Sequence, residues 1–506
     1  MRKLGIIFPD QVSANNIALT HLSQEDALLI YEPCDSFYQL PHHKQKIAFL
    51  VSALRHRKEE LAATFLNIKH EKISKDHKGN LMQYLEKLHA SEAFDIIHVT
   101  HPGDHQTLTQ LMLFASKNSV TLEVHQDTKF IGAMDDFTNW SEGKKSYIQE
   151  YYYRWLRKKY HVLMDGAEPI GGKWNFDKEN QKSITRLKED PPTRPIISSD
   201  ALTINAMVDV EKCFSSSFGS LENFNWAVTH DDAKAQLQFF LDHCLDSFGD
   251  FQDAMDADNP TLFHSLLSPY INIGLLDPSE VIASVIERLQ ANNANVNAVE
   301  GFVRQVLGWR EFMRGIYWMH MPQYKDMNFF DFKLPLPDFY WTGDSGLACV
   351  DKCVKDSSEY AYSHHIQRLM ITGNLSTLIG IKPSEISKWY LSVYADAHEW
   401  VETPNTIGMA SFADGGIVGS KPYISSGNYI NKMSNFCKAC KYNVKNTLEE
   451  DACPFNYMYW NFLITQRPAL AKNHRMALAF NNLDKKSIEF RNTVMQKSEV
   501  FIKEIY

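Results

Sequence analysis

Leu4-Gly5-Ile6-Ile7-Phe8-Pro9-Asp10-Gln11 is an apolar run of strand length, stopped by a Pro-Asp turn and followed by polar side chains. A second run, Ala27-Leu28-Leu29-Ile30-Tyr31, ends in the same way on Glu32. Further runs at 94–100 and 120–124 have the same character, while 42–62 follows a helical period. In that segment Ile47, Leu50, Val51 and Leu54 share one face, with His43, Lys44, Lys46, Arg55 and Arg57 elsewhere. Buried-type strands alternating with helices predict an α/β domain with an open, Rossmann-like parallel sheet over residues 1–130. Ligands of such sheets sit beyond the carboxyl ends of the strands. Asp10, Gln11 and Glu32 fall at two such ends, although turn and cap duty is the commoner use of such residues. The glycine fingerprint of ordinary NAD sites is absent.

Outward from this domain, residues 126–200 change character. Tyr151-Tyr152-Tyr153-Arg154-Trp155-Leu156-Arg157-Lys158-Lys159-Tyr160 interleaves aromatic and basic residues. It suits a nucleic-acid face, or an amphipathic helix whose basic stems cover apolar surface, and the second reading carries more weight. Pro191-Pro192-Thr193-Arg194-Pro195 has linker composition, so 131–199 reads as a connecting segment. From 200 to 506 the pattern is almost wholly helical, with periodic segments at 233–244, 277–292, 296–317, 357–372 and 383–394. Within 296–317, Glu300, Arg304 and Gln305 interrupt an apolar helix; such residues are paired internally or face a cavity. His264-Ser265-Leu266-Leu267-Ser268-Pro269 sets hydroxyls beside a helix start, which serves as an N-cap or as a seat for phosphate.

Residues 341–467 concentrate the chemistry. They hold five of the eight cysteines, namely Cys349, Cys353, Cys437, Cys440 and Cys453. The Cys437-x-x-Cys440 pair, Cys453-Pro454 and one of the two upstream thiols suit zinc or an iron–sulfur cluster. Spacing chooses neither the metal nor between Cys349 and Cys353, and inert buried thiols are the bland alternative. The same region carries His364-His365-Ile366-Gln367-Arg368 and Tyr394-Ala395-Asp396-Ala397-His398-Glu399-Trp400-Val401-Glu402, then Asn405.

The 506-residue chain is 44% hydrophobic and 22% charged, an ordinary globular composition with ample core. No stretch has the apolar length of a membrane span or of a signal peptide core, so a cytoplasmic location with reduced cysteines is expected. A net charge of −9 offers no global attraction to nucleic acid; any such binding needs a local basic face.

Taken together, His42-His43-Lys44-Gln45-Lys46-Ile47-Ala48-Phe49, Gly172-Lys173-Trp174-Asn175-Phe176-Asp177, His264–Ser268, Gly308-Trp309-Arg310-Glu311-Phe312-Met313-Arg314-Gly315, 364–373, 394–405 and Gly427-Asn428-Tyr429-Ile430-Asn431 run through nearly the whole chain. In them the chain resembles the photolyase–cryptochrome superfamily, and more closely its bacterial iron–sulfur branch, the prokaryotic (6-4) photolyases. The resemblance implies an N-terminal α/β antenna domain and a large all-α C-terminal domain holding FAD. It implies flavin contacts from His264, Ser265, Leu266, Leu267 and Ser268 at the phosphates, from Glu300 and Gln305 on the helical wall, and from Asp396, Glu402 and Asn405 near the ring. It implies a [4Fe–4S] cluster on Cys349, Cys437, Cys440 and Cys453, with Cys353 as an extra thiol. An antenna pigment, 6,7-dimethyl-8-ribityllumazine, is implied near Asp10, Gln11 and Glu32, although Ser36 stands where a relative carries a carboxylate.

The implied activity is light-driven reversal of (6-4) photoproducts in UV-damaged DNA, by electron donation from reduced FAD and proton transfer from histidine. By match, His365 is catalytic, with His364 and Arg368 beside it and Tyr423 and Tyr429 at the lesion mouth. Trp389, Tyr390 and Trp341 are candidate electron-transfer stations. Asp177 and Asp253 sit oddly in a DNA-facing site unless a cation such as Mg²⁺ joins them. The expected form is a monomer in the bacterial cytoplasm, nucleoid-associated when on DNA. The rival readings are a cryptochrome-like photoreceptor without repair, and a structural zinc module that binds nucleic acid without flavin.

Overall fold

The computed structural model describes residues 1–77, 80–291 and 294–506. Five parallel strands form one sheet: β1 (Lys3–Ile7), β2 (Ala27–Tyr31), β3 (Asn67–Glu71), β4 (Ile96–Thr100) and β5 (Thr121–His125). Their order is β3-β2-β1-β4-β5, so the chain runs outward from a central β1 in both directions. Gly5 lies opposite Leu28 of β2 and His98 of β4. The expected sheet is therefore present, with one strand more than the apolar runs suggested. β3 is an edge strand reading Asn-Ile-Lys-His-Glu, and its half-exposed, polar sequence carries no apolar signal.

The two sheet faces have different fates. Leu4, Ile6, Leu29, Tyr31, Ile97 and Val99 pack with Leu85, Leu111 and Phe114 in a core of their own. Ile7, Leu28 and Ile30 join a core that continues through the helix Lys44–Leu61 into the helical region as far as Phe501. That helix is not amphipathic, as expected from sequence, but buried from Gln45 through Arg55 on every side. It lies between the sheet and the helix Ala201–Cys213, where Ser52 bonds Thr203 at 3.0 Å. Its polar residues are consumed internally. Lys46 Nζ donates to the Leu391 carbonyl at 2.6 Å, and Arg55 pairs with Glu32 at 2.7 Å and Asp209 at 2.8 Å.

The aromatic-basic stretch forms the helix Gln149–Tyr160, with Tyr152, Tyr153, Leu156 and Arg157 buried. Arg154, Arg157 and Lys158 gather around the Trp174 ring, so this helix uses basic stems as cover. The proline-rich segment has no regular structure. It is nevertheless docked, because Arg194 donates to the carbonyls of Ser265 and His264.

The expected helix over 277–292 is seen as Pro278–Gln290; Asn292 lies outside the described residues. The segment 357–372 is not one helix. Ala348–Tyr360 stops where Ala361 turns left-handed at φ 52°, a common helix stop, and helix resumes at His365. The segment 296–317 runs from Val296–Val303 to Arg310–His320 through a wide turn, Arg304–Trp309. Two more such π-turns occur at Arg368–Gly373 and Pro404–Ala410. Among the described residues no helix is long and apolar enough to cross a membrane.

Candidate functional site

All three π-turns border one cavity of about 480 Å³ in the helical region, contributing Arg304 and Gln305, Arg368 and Leu369, and Asn405 and Met409 to its wall. A π-turn widens a helix by one residue and frequently marks a functional site. His264, Ser265, Leu266, Leu267 and Ser268 form the opposite wall, with Asp396, Glu402, His364, His365, Tyr390 and Tyr423 also facing in. Most of the residues singled out in the sequence thus converge on one space.

A charge network organises the cavity. The Arg368 guanidinium lies 2.9 Å from Asp396 and 3.5 Å from Glu402, donates to the Ser363 carbonyl at 2.7 Å, and covers the Tyr394 ring at 3.8 Å. Ser268 donates to Asp396 at 2.7 Å. Burial pushes the Asp396 carboxyl up, but Arg368 and Ser268 outweigh it and hold the group below the ordinary range. At Glu402 burial prevails against Arg368, and the carboxyl is raised. Burial and then Arg368 push His365 down to about 4. His364 is lowered by burial, then by His264, His365 and Arg368. Both histidines are therefore neutral at neutral pH until something anionic enters.

Arg310, within the Gly308–Gly315 motif, carries no chemical signal of its own in the sequence. Its Nε donates to Asn272 at 3.1 Å, and the ring of Phe130 flanks it at 4.2 Å and that of Trp400 at 4.9 Å. Both terminal nitrogens are buried without a hydrogen-bond partner among the described residues, and the residue faces the cavity. Burial lowers its pKa to about 10, so it remains charged. Among the described residues its one ionic neighbour is Glu311 at 3.9 Å, so a guanidinium with unbonded terminal nitrogens stands beside the Ser265–Ser268 turn, the complement of an anionic ligand such as a diphosphate.

Several expected residues stand back from the cavity. Glu300 accepts from Phe176 N at 3.0 Å and pairs with Arg304 at 3.3 Å, so it braces Arg304 and does not face the cavity. Arg304 in turn reaches Asp177 at 3.1 Å. Asp253 lines the cavity beside Asp177, and burial followed by the Asp177 charge lifts it to about 7. Tyr429 lies outside the cavity wall, with its hydroxyl raised by burial and by those two aspartates. From Tyr390 on the wall, ring contacts of 5.2 Å lead to Trp389 and then to Tyr340. Trp341 packs elsewhere, edge-on to Phe218 at 5.5 Å beside a surface groove.

Cys349, Cys437, Cys440 and Cys453 surround one small void, and Cys353 is not among its lining. A side chain at Gly427 would meet the Cys453 sulfur at 2.9 Å, so glycine is required there. Burial raises the Cys437 thiol to about 11 and the Cys453 thiol to about 12. Among the described residues no group of three or more His, Cys, Asp or Glu is arranged to hold a metal ion.

A second cavity, of about 420 Å³, opens at the carboxyl ends of β1 and β4, where the strand order reverses. Asp10 faces it, but Gln11 and Glu32 do not. Gln11 donates inward to the Thr100 carbonyl at 3.0 Å. The Glu32 carboxylate is taken up by Arg55, by His70 at 2.6 Å and by Ile73 N at 3.1 Å. Gly103 permits the approach of Asp10, since a side chain there would collide with its carboxylate. The polar groups that do face in include Asp35, Asp104, Lys46 and His398, which the sequence reading did not select. Asp35 accepts from Gln106 at 3.1 Å and Gln110 at 2.7 Å. Burial and Glu399 lift Asp104 to about 7.

A family model described as deoxyribodipyrimidine photo-lyase-related protein matches residues 5–226. Over 507 aligned positions, covering 100% of both chains, this sequence is 42% identical to a protein of Agrobacterium fabrum named (6-4) photolyase. In fold it is similar to the crystal structure of a bacterial class III photolyase from Agrobacterium tumefaciens, with a TM-score of 0.57 and 15% identity, covering 100% of this chain and 98% of that one. It is also similar to the cryptochrome of Synechocystis, with a TM-score of 0.55 and 13% identity, covering 100% and 99%.

Proposed function

The chain belongs to the photolyase–cryptochrome family, and from that premise we propose that it is a light-dependent DNA repair lyase acting on (6-4) photoproducts in UV-damaged DNA. Full-length identity of 42% to a protein named (6-4) photolyase supports the activity. The observation that carries it within this chain is the meeting, in one cavity, of an acid–base pair (His364 and His365) with an anion seat at Arg310.

The cavity residues fit FAD, the flavin of this family, which when bound supplies light absorption and the electron. Arg310 and the Ser265–Ser268 turn take its phosphates. Arg368, Asp396, Glu402 and Asn405 fix the ring end. His365 supplies the proton that returning the displaced group to its original base requires. An anionic lesion beside Arg368 restores the basicity that burial removed from His365. Reaching this depth requires the lesion to leave the stack. Tyr423, on the wall, receives it, and Tyr429 stands just outside. Tyr390, Trp389 and Tyr340 form the entry route for reducing equivalents, and Trp341, packed on Phe218, is not in ring contact with it.

The four cysteines are the ligands of a [4Fe–4S] cluster. Four thiols lining one void, with a Cys-x-x-Cys pair and a Cys-Pro ending among them, support that ligand set. The second cavity takes the lumazine antenna through Asp10. Asp177 and Asp253 take a divalent cation when DNA phosphate arrives; until then Arg304 offsets part of their charge. The protein acts on DNA as a monomer.

The test is irradiation of purified protein with (6-4)-containing oligonucleotide, with the repaired strand resolved by chromatography. Recovery of intact pyrimidines only in light supports the reading. A flavin spectrum with no repair would overturn it and place the chain with signalling cryptochromes, whose scaffold it shares.

A further inference from the structure

His264 is held differently from the other buried histidines. Its Nδ1 lies 3.0 Å from the Thr261 carbonyl and its Nε2 3.0 Å from the Gln252 carbonyl. Carbonyl oxygens only accept, and a neutral imidazole has a single N–H. Both contacts are hydrogen bonds only if both nitrogens carry protons. His43 shows the contrast. It accepts from Gln45 N at Nδ1 and meets the Ser358 carbonyl through Nε2, the pattern of one neutral tautomer. The His264 ring stacks on His364 at 4.2 Å and 17°, while both His364 nitrogens are buried without a partner among the described residues.

We propose that His264 is held as an imidazolium, and that its charge keeps the stacked His364 neutral, so that the proton used on the lesion is carried by His365. The inference rests on the repair reading and makes His264 a positioning residue. The groups facing His264 are Arg194, which donates to its carbonyl, and His364; His365 and Arg368 stand beyond His364. Burial, and to a smaller extent Arg194, lower the ring below its ordinary value in the unliganded chain against the two carbonyls, which favour the charge; the two acceptor-only contacts are what argue for the second proton. The phosphates of a ligand in the adjoining turn add to the favourable side. A positive charge stacked at this distance makes a second proton on His364 unfavourable, whereas His365 is one residue further away.

The experiment is nitrogen-15 NMR of ring-labelled histidines in the FAD-loaded full chain between pH 8 and pH 5, with His264 identified by its absence from the His264→Phe variant. At pH 7, His264 is expected to show two protonated ring nitrogens and His364 a single one. A His264 with one bare nitrogen at pH 7 overturns the proposal. The His264→Phe variant keeps a ring against His364 but no charge. In it the His364 titration midpoint is expected to rise by at least about one pH unit, and the acid limb of the repair pH profile to move with it; an unmoved midpoint also overturns the proposal. If the variant does not fold, His264→Gln supplies the assignment in its place and the wild-type spectra decide. Absence of (6-4) repair alongside a doubly protonated His264 would defeat the repair reading and leave the charge assignment standing.

Discussion

Arg310 and His365 are ordinary residues made reactive by burial. Arg310 carries a charge into the interior with only Asn272 as a hydrogen-bond partner, an arrangement that costs free energy unless an anion completes it. Replacing it as Arg310→Met keeps most of the packing against Phe130 and Trp400 but removes the donors. Flavin affinity is expected to fall about 10-fold to 100-fold, the value of about one hydrogen bond to a charged group. Flavin fluorescence titration measures this, and unchanged affinity would dismiss the anion seat. His365→Ala is expected to leave flavin bound while repair falls by at least about 100-fold, the scale of a general acid. Retained repair under single-turnover illumination would remove its role.

At the scale of elements, helix ends and interruptions place the chemistry. The break at Ala361 turns the chain so that His364 and His365 enter the cavity and do not continue the Ala348–Tyr360 helix. One turn apart on that helix, Cys349 faces the void shared with Cys437, Cys440 and Cys453, while Cys353 is buried away from it. Cys437→Ala is accordingly expected to abolish bound iron, and Cys353→Ala to leave iron content unchanged; equal loss in both would break the assignment. The helix Lys44–Leu61 brings its own pH dependence. Burial lowers His43 at its cap to about 4. The fold therefore prefers the neutral ring, and the unfolded chain binds the proton first. Its contribution is complete above about pH 6.5 and is lost as pH falls toward 4, about 2 kcal/mol of it by pH 5. His43→Gln should flatten the fall in stability between pH 7 and pH 5 by that amount in denaturant titrations. A slope identical to wild type would show that His43 is not buried neutral.

One core joins one face of the sheet to the helical region around the Lys44–Leu61 helix, while the other sheet face keeps a core of its own. The core that begins at Ile7 continues through Phe49 and Trp226 to Met458 and Phe501, across the boundary expected near residue 130. Residues 1–130 alone would expose that helix on its far side. The isolated fragment is expected to lack cooperative unfolding and to show little amide protection, while the full chain keeps its sheet protected. A fragment with a sharp transition of its own would show that the sheet needs no partner. The same continuity sets the second cavity beside the helical region, where His42, Lys46 and Leu391 meet at its wall.

The sequence by itself determined the class of fold and the location of the chemistry. Apolar runs ended by turns mark strands, a 3.6-residue period marks helices, and the motifs around His264, His364, Asp396 and Cys437 keep their meaning wherever the chain places them. Only the tertiary structure decided which of those residues share a space. Glu32 and Gln11 stand at strand ends in the sequence, but Arg55, from a helix 23 residues further on, and the Thr100 carbonyl claim their side chains. Arg310 looks like any helical arginine until Phe130 and Trp400 close around it and leave two donors free. β3 and the three π-turns left no periodic trace, because an edge strand needs little apolar surface and one extra residue in a helix changes direction without changing composition. Local pattern reports what a segment buries; which charges lose their water, and therefore which pKa values move, depends on what the rest of the chain brings against it.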